Sequence, residues 1–185
     1  MPDNLQTKQL RAINTVDKLA RSLGGQAWLR GGWAMDFCLG RVTRPHTDVD
    51  IYTDQAVHRR TVDALAADGW DLDDRLPVER QADLSRDGVD LSLNPIRQVD
   101  GQAVHGPGPW EDEPCPADML EHAGRAQLEG AEAYYISPMA QIEVKLMTRV
   151  WRPEFNFREK DEADVALLCR HMLHTDWTSQ LLIAR

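Results

Sequence analysis

Long apolar runs, paired cysteines and an excess of positive charge are all missing from this 185-residue sequence. No apolar run approaches the roughly 18–20 residues that a membrane-spanning helix requires, and the first residues lack the apolar centre of a secretory signal. The three cysteines match no metal-ligand spacing. We therefore predict a cytoplasmic protein with no membrane partner, in which the cysteines stay reduced.

Basic residues are also fewer than acidic ones. The sequence has 21 Lys and Arg and 30 Asp and Glu, which gives a net charge of −9. This balance argues against nucleic acid as the main partner, since a phosphate backbone attracts basic surfaces. It is compatible with a cationic small molecule. The acidic clusters at 71–74 and 111–113 are most simply solvated loops, and the alternative is an electronegative rim for a cationic substrate.

The order of elements predicts an α+β (α/β) domain with a small C-terminal helical part. Helical spacing of apolar residues predicts helices over 5–23, 33–39, 56–67, 137–149 and 159–173. Strand patterns cover 27–30, 49–53, 70–72 and 129–136, with a further run of strands between 75 and 105. Four prolines predict a loop or lid over 106–117. We expect residues 1–136 to form the core and residues 137–185 a C-terminal helical segment.

Two aspartates alternate at the start of one predicted strand, in Asp48-Val49-Asp50. Residues two apart on a strand share a face, so their backbones hold the carboxylates about 7 Å apart. Like charges this close repel unless a cation lies between them, and Mg²⁺ prefers such oxygen ligands. A solvated surface pair is the alternative, because the motif is short.

Two features upstream favour the metal interpretation. Gly31 and Gly32 lie between a predicted strand and a short helix, where backbone N–H groups are free to approach an anion. Arg41, Arg44 and His46 crowd the loop before the aspartates and suit a polyphosphate leaving group. The alternatives are a tight strand–helix turn and a solvated basic loop.

A further carboxylate lies on a second predicted strand, where Asp90 interrupts an apolar run. It is suited to complete the metal site or to act as a general base, and the alternative is a solvent-facing strand residue. Glycines for phosphates, alternating aspartates for metal and one more aspartate for the nucleophile together indicate metal-assisted nucleotidyl transfer.

Residues 28–51 resemble the signature of the aminoglycoside and lincosamide nucleotidyltransferase family, within the polymerase-β-like nucleotidyltransferase superfamily. The family pattern is Gly-Gly-Trp-x-x-Asp, followed by Leu-Gly-x-x-Thr-Arg-x-His-x-Asp-x-Asp. Residues 31–36 match the first part and residues 39–50 match the second at nearly every position. Looser similarity continues around Asp90 and into the last predicted helix. The resemblance implies a polymerase-β-like fold with a mixed β-sheet flanked by helices.

The resemblance also implies roles for individual residues. Asp48 and Asp50 would ligate Mg²⁺, and Asp90 would be a third metal ligand or the base for the substrate hydroxyl. Gly31 and Gly32 would hold the triphosphate of ATP or another NTP by their backbone N–H groups.

The cationic positions of the family are also present. Arg44 and His46 would neutralise the phosphates or tie down the loop, and Lys145 would reach the nucleotide phosphates from a later helix. For Asp36 we favour a structural role, as a cap or as a partner of Arg41 or Arg44.

Three departures from the family bear on the substrate. Arg30 puts a bulky cation directly before the glycine pair, Ser92 follows Asp90 on the same strand face, and the loop over 106–118 carries no family motif. Substrate choice usually lies in such loops. Trp33 is expected to pack in the core rather than to stack on the nucleotide base.

We therefore predict a Mg²⁺-dependent nucleotidyltransferase that moves an NMP, in the simplest case AMP from ATP, onto a hydroxyl of a small molecule and releases pyrophosphate. The resemblance points to an aminoglycoside or lincosamide antibiotic as the acceptor. Two alternatives stay open. One is a toxin-like nucleotidyltransferase that modifies a protein or RNA, and the other is a non-catalytic nucleotide-binding module.

Overall fold

The computed structural model describes residues 4–151 and 159–174. Its helices are α1 (Leu5–Ser22), α2 (Gly31–Leu39), α3 (Gln55–Ala67), α4 (Pro138–Trp151) and α5 (Glu159–His174). Its strands are β1 (Ala27–Arg30), β2 (Asp48–Asp54), β3 (Asp71–Asp73), β4 (Ala82–Arg86), β5 (Val89–Val99), β6 (Gln102–His105), β7 (Gly124–Leu128) and β8 (Ala131–Tyr135). Among the described residues, no helix is both long and apolar enough to cross a membrane.

The strands form one mixed sheet in the order β3-β4-β5-β2-β1-β8-β7, and β6 pairs with the second half of β5. Two pairs are parallel, β2 with β5 and β1 with β8, and the others are antiparallel. The central parallel pair aligns the starts of β2 and β5, so Asp48 lies beside Asp90. The expected mixed sheet flanked by helices is confirmed.

The main hydrophobic core lies between one face of this sheet and helices α1, α2 and α3. Strands β2 and β5 contribute every second residue to it, and these residues are almost completely buried: Val49, Ile51, Leu91 and Leu93. Trp33 of α2 is 1% exposed within the same core, which confirms its expected packing role. A second cluster covers part of the opposite face, where the segment after β6 packs Cys115 and Met119 against Tyr52.

The predicted elements agree with the structure except near two turns. Helix α2 begins at Gly31 rather than at Trp33. The strand expected over 129–136 begins only at Ala131, and β7 was not predicted. Glu129 and Gly130 form the turn between β7 and β8, with positive φ angles of 46° and 83°. Two positive φ angles are typical of a tight hairpin turn, but Glu is an unusual first residue there, so a sequence pattern does not predict this turn.

The C-terminal helices join the core through α2. Met35 and Cys38 of α2 pack against Ile142 of α4 and against Leu168 and Met172 of α5. The expected division after residue 136 falls between the end of β8 and the start of α4, and it stays a prediction. Residues 152–158 and 175–185 of the expected C-terminal segment lie outside the described residues.

Candidate active site

Polar side chains form two rows across the sheet face opposite α1 and α3, each running over β3, β4, β5 and β2. The first row contains Asp71, Ser85, Asp90 and Asp48. The second row contains Asp73, Asp83, Ser92 and Asp50. Neighbouring strands lie about 4.8 Å apart, and residues in register share a face. The three aspartates that the sequence singled out are therefore brought together, and three further aspartates extend them towards the sheet edge.

These rows line a groove of about 650 Å³. Its charged lining comprises six aspartates and a single arginine, Arg75. Arg75 is tied to one wall, because its Nε donates to Asp73 Oδ2 over 2.6 Å. This contact also lowers the pKa of the Asp73 carboxyl. The groove is strongly negative, which favours a cationic ligand.

Arg30 closes the second row on β1, directly across from Asp50. Its Nη2 donates to Asp50 Oδ1 over 3.2 Å and to Asn94 Oδ1 over 2.7 Å, and its guanidinium lies 5.1 Å from the centre of the Tyr52 ring. Burial lowers the pKa of Arg30. The Asp50 carboxylate and Tyr52 together raise it by more, so the pKa of Arg30 is raised above its usual value. Arg30 therefore holds a fixed positive charge against one of the predicted metal ligands.

Beyond Arg30, a second cavity of about 600 Å³ lies between the sheet and α4. Tyr52, the half-exposed Trp110 and the carboxylates Glu113 and Glu143 line it. Trp110 belongs to the proline-rich segment that the sequence predicts to be a loop or lid. Asp50 and Arg30 thus lie between an acidic groove on one side and an aromatic cavity on the other.

The two glycines form the turn from β1 into α2. Gly31 has a φ of +69°, and a Cβ there would lie 3.0 Å from Asp50 Oδ2. At Gly32 a Cβ would lie 2.4 Å from His46 Nδ1 and 3.0 Å from Arg44 Nη2. No side chain among the described residues caps the first turn of α2. The turn therefore needs glycine at both positions and keeps its backbone next to Asp50.

His46 is 6% exposed and is held from both sides. Its Nδ1 lies 3.1 Å from Arg44 Nη1, and its Nε2 lies 2.6 Å from Asp36 Oδ2. A guanidinium only donates, so Nδ1 accepts and Nε2 carries the proton that it donates to Asp36. Asp36 also accepts from Thr43 N and Oγ1. These contacts favour the loop-tying role for His46. The carboxylate of Asp36 contacts His46 and Thr43, whereas Arg41 bonds to Asp36 through the backbone, its N–H donating to Asp36 O over 3.2 Å.

The remaining predicted phosphate ligands, Arg44 and Lys145, meet at a helix α5 carboxylate. Asp164 Oδ2 lies 3.2 Å from Arg44 Nη2 and 2.8 Å from Lys145 Nζ. Asp161 Oδ1 lies 3.5 Å from the same Nζ. The structure thus brings Lys145 to the Arg44 side of the glycine turn, although the two residues are a hundred positions apart in sequence.

The donor set at the start of β2 fits a hard divalent cation. Within residues 4–151 and 159–174, no three His, Cys, Asp or Glu side chains are grouped closely enough to hold a metal ion alone. Mg²⁺ does not require such a group, because it is usually held by one or two carboxylates together with waters and substrate phosphates. Asp48 and Asp50 supply two carboxylates on one strand face, and the Asp50 carboxylate lies against the backbone of Gly31.

The sequence missed two contributors to this site. Asp83 carries no motif, and only the pairing of β4 with β5 brings it beside Ser92. Asp164 lies in the helix that resembles the closing helix of the family, but the partners that it holds come from two distant segments. A sequence pattern reports spacing along one element, whereas both of these contacts depend on how separate elements pack.

The sequence matches the family described as aminoglycoside-2''-adenylyltransferase over residues 12–168. The chain belongs to this family. A 2''-aminoglycoside nucleotidyltransferase from Escherichia coli is 40% identical over 47 residues, which is 25% of this chain and 27% of that protein. One from Klebsiella pneumoniae matches to the same extent. The matched stretch therefore spans about a quarter of the curated relatives' length.

Solved structures show that the likeness of this family member extends over the whole fold. The structure of ANT(2'')-Ia in complex with adenylyl-2''-tobramycin has a TM-score of 0.72 and 20% identity, and the match covers 96% of this chain and 95% of that one. The lincomycin-bound lincosamide adenylyltransferase LnuA has a TM-score of 0.66 and 21% identity, with 90% and 98% covered. At these identities the likeness establishes a nucleotidyltransferase fold.

Proposed function

We propose that this chain transfers AMP from ATP to a hydroxyl of a polycationic small molecule, an aminoglycoside, and releases pyrophosphate. The observation that carries the proposal is the continuous acidic face from Asp48 and Asp50, across Asp90, to the β3 edge. One end of this face has the residues for metal-assisted transfer, and the rest forms a negative surface large enough for a substrate. Family membership supports the same reaction.

The acceptor occupies the groove of about 650 Å³. Several ammonium groups on one sugar scaffold match several carboxylates at fixed spacings, and each charge-assisted hydrogen bond adds to the affinity. The six aspartates of the groove suit such a polycation better than a lincosamide with one basic amine. The same charge repels an RNA backbone, which disfavours the alternative of an RNA substrate.

The triphosphate binds on the other side of Asp50, at the turn made by Gly31 and Gly32. Asp50 approaches the backbone closely at Gly31, and His46 and Arg44 do so at Gly32. The dipole of α2 favours an anion at this turn. The guanidinium of Arg44 lies against Gly32, and Lys145 lies next to it across Asp164. These two cations neutralise charge on the leaving pyrophosphate.

Asp90 serves as the base for the acceptor hydroxyl. It lies in register with Asp48 and lines the groove, between the proposed metal ligand and the proposed acceptor site. The hydroxyl proton passes to the Asp90 carboxylate while the oxygen forms a bond to the α-phosphorus, and the bond to the bridging oxygen of pyrophosphate breaks. Mg²⁺ held by Asp48 and Asp50 would supply neutralisation of charge on the reacting phosphates.

The test measures pyrophosphate release from Mg-ATP with tobramycin, with lincomycin and with no acceptor, using the purified chain. We expect release that depends on tobramycin and a product heavier by one adenylyl group. Asp48→Asn abolishes release, whereas Asp63→Asn, on the exposed face of α3, leaves it unchanged. Parallel reactions with the other three nucleoside triphosphates define the preferred donor.

Other outcomes separate the alternatives. Release with lincomycin but not with tobramycin would mean that the acceptor is a lincosamide, while the proposed reaction stays the same. Transfer of labelled AMP to macromolecules in a cell lysate, with no small-molecule product, would favour the toxin-like alternative. Tight ATP binding without turnover on any acceptor would indicate a non-catalytic nucleotide-binding module.

A further inference from the structure

A chain of polar contacts connects the glycine turn with the two C-terminal helices. It runs from Asp36 in α2 through His46 and Arg44 in the following loop to Asp164 in α5 and Lys145 in α4. Each link is between 2.6 and 3.2 Å. The loop after α2 and helix α4 therefore both contact Asp164 in α5.

Asp164 is the buried centre of this chain. It is 2% exposed, and its Oδ2 accepts from both Arg44 and Lys145. The two cations lie close to each other only because a carboxylate lies between them, since like charges at this separation repel. Removing a buried carboxylate that two cations share is strongly destabilising, because both cations lose that contact. Lys145 then keeps the longer contact to Asp161.

The guanidinium that Asp164 holds faces the proposed phosphate site. Arg44 Nη2 lies 3.0 Å from where a Gly32 side chain would begin, so it lies against the glycine turn. Its Nε is buried and has no hydrogen-bond partner within the described part of the chain. A buried donor without a partner requires an explanation, and one explanation is a hydrogen-bond acceptor that a bound ligand supplies.

We propose that Asp164 is a positioning residue that holds Arg44 and Lys145 together at the glycine turn to receive the triphosphate. This inference rests on the proposed function. Long cationic side chains lose substantial conformational freedom when they bind a ligand, and fixing them beforehand reduces that cost. Asp164 acts through the two cations and does not itself contact the substrate. Because Lys145 lies in α4 and Asp164 lies in α5, the positions of the two cations also depend on how these helices pack.

The first test measures binding without turnover. Titration calorimetry compares inorganic pyrophosphate, ATP and adenosine on the wild-type chain and on Asp164→Asn. Asparagine keeps the shape but loses the charge, so the two cations separate. We expect pyrophosphate and ATP to bind about tenfold more weakly, because the two cations must then be ordered when the ligand binds, and adenosine binding to stay unchanged.

A matched control separates positioning from general destabilisation. Asp17 is also 2% exposed and also holds an arginine, Arg21, but it lies in α1 on the helical face of the sheet. Asp17→Asn removes a buried carboxylate of the same kind, and we expect it to lower the melting temperature without changing pyrophosphate affinity. The exposed Glu162, two residues before Asp164, provides a second control as Glu162→Gln.

A double-mutant cycle with Lys145→Met tests whether Asp164 acts through its partners. Asp164→Asn should weaken pyrophosphate binding less in the Lys145→Met background than in the wild type, and in turnover it should raise the KM for ATP more than it lowers kcat. Unchanged or tighter pyrophosphate binding by folded Asp164→Asn overturns the inference. A wild-type chain that binds neither pyrophosphate nor ATP overturns the proposed function instead.

Discussion

The two faces of strands β2 and β5 differ sharply in burial and in charge. On one face, Val49, Ile51, Leu91 and Leu93 are no more than 2% exposed beneath the helices. On the other, Asp48, Asp50, Asp90 and Ser92 are exposed or half-buried along an open groove. Both sets occupy the same two strands at alternating positions. Residues that are adjacent in sequence therefore alternate between the buried core and the open groove.

The difference separates what stabilises the fold from what the proposed chemistry needs. The closed face buries branched apolar side chains, which is the main source of stability. The open face groups carboxylates that repel one another, which costs stability in the absence of a cation. A functional site of this kind is held in place by the apolar residues behind it. We therefore expect substitutions on the open face to change activity and substitutions on the closed face of the same strand to change stability.

The largest effect is expected from the open face. Asp90→Asn should lower kcat for adenylyl transfer by about 10³-fold or more, equivalent to roughly 4 kcal/mol, because the acceptor hydroxyl loses its base. The free energy of unfolding should stay equal or rise slightly, since one of two neighbouring like charges is removed. Urea denaturation and pyrophosphate release on the same preparation measure both. Loss of stability together with activity would mean that Asp90 supports the sheet.

The closed face should give the reverse. Leu93 is fully buried in the main core and lies between Ser92 and Asn94. Leu93→Ala should lower the free energy of unfolding by about 2–5 kcal/mol, because a cavity replaces a large side chain. The KM for ATP of the protein that remains folded should change little, because the side chain faces away from the groove. A change in the KM for ATP with unchanged stability would contradict the assignment of Leu93 to the stabilising face alone.

Part of this comparison could be predicted from the sequence. Alternation over residues 48–53 and 89–95 separates the two faces, because a strand repeats every two residues. The family signature identified the residues around the glycine turn. The contacts between elements could not be predicted in this way. The register that brings Asp83 beside Ser92 depends on a hairpin turn, and the link from Arg44 to Asp164 depends on how α5 packs on α2.

The acidic groove shows the same limit at its outer edge. Asp71, Asp73 and Asp74 lie within four residues of sequence, and a solvated loop is the simpler interpretation of such a cluster. In the structure, Asp71 and Asp73 lie on β3 and line the groove, whereas Asp74 lies outside the strand and is not among the lining residues. Strand alternation sends Asp71 and Asp73 to the same face. The cluster therefore divides into residues that face the proposed acceptor and one that does not.

That division gives the smallest and most specific prediction. The double substitution Asp73→Asn with Asp83→Asn should raise the KM for tobramycin by about tenfold, or 1.4 kcal/mol, because two carboxylates no longer attract ammonium groups. The KM for ATP should not change, and the tenfold difference should shrink at high salt because exposed charges are screened. The matched control is the double substitution Asp74→Asn with Asp63→Asn, since it also removes two negative charges, both outside the groove lining. Equal effects of the two double substitutions would attribute acceptor binding to the net charge of the protein rather than to the rows on the sheet.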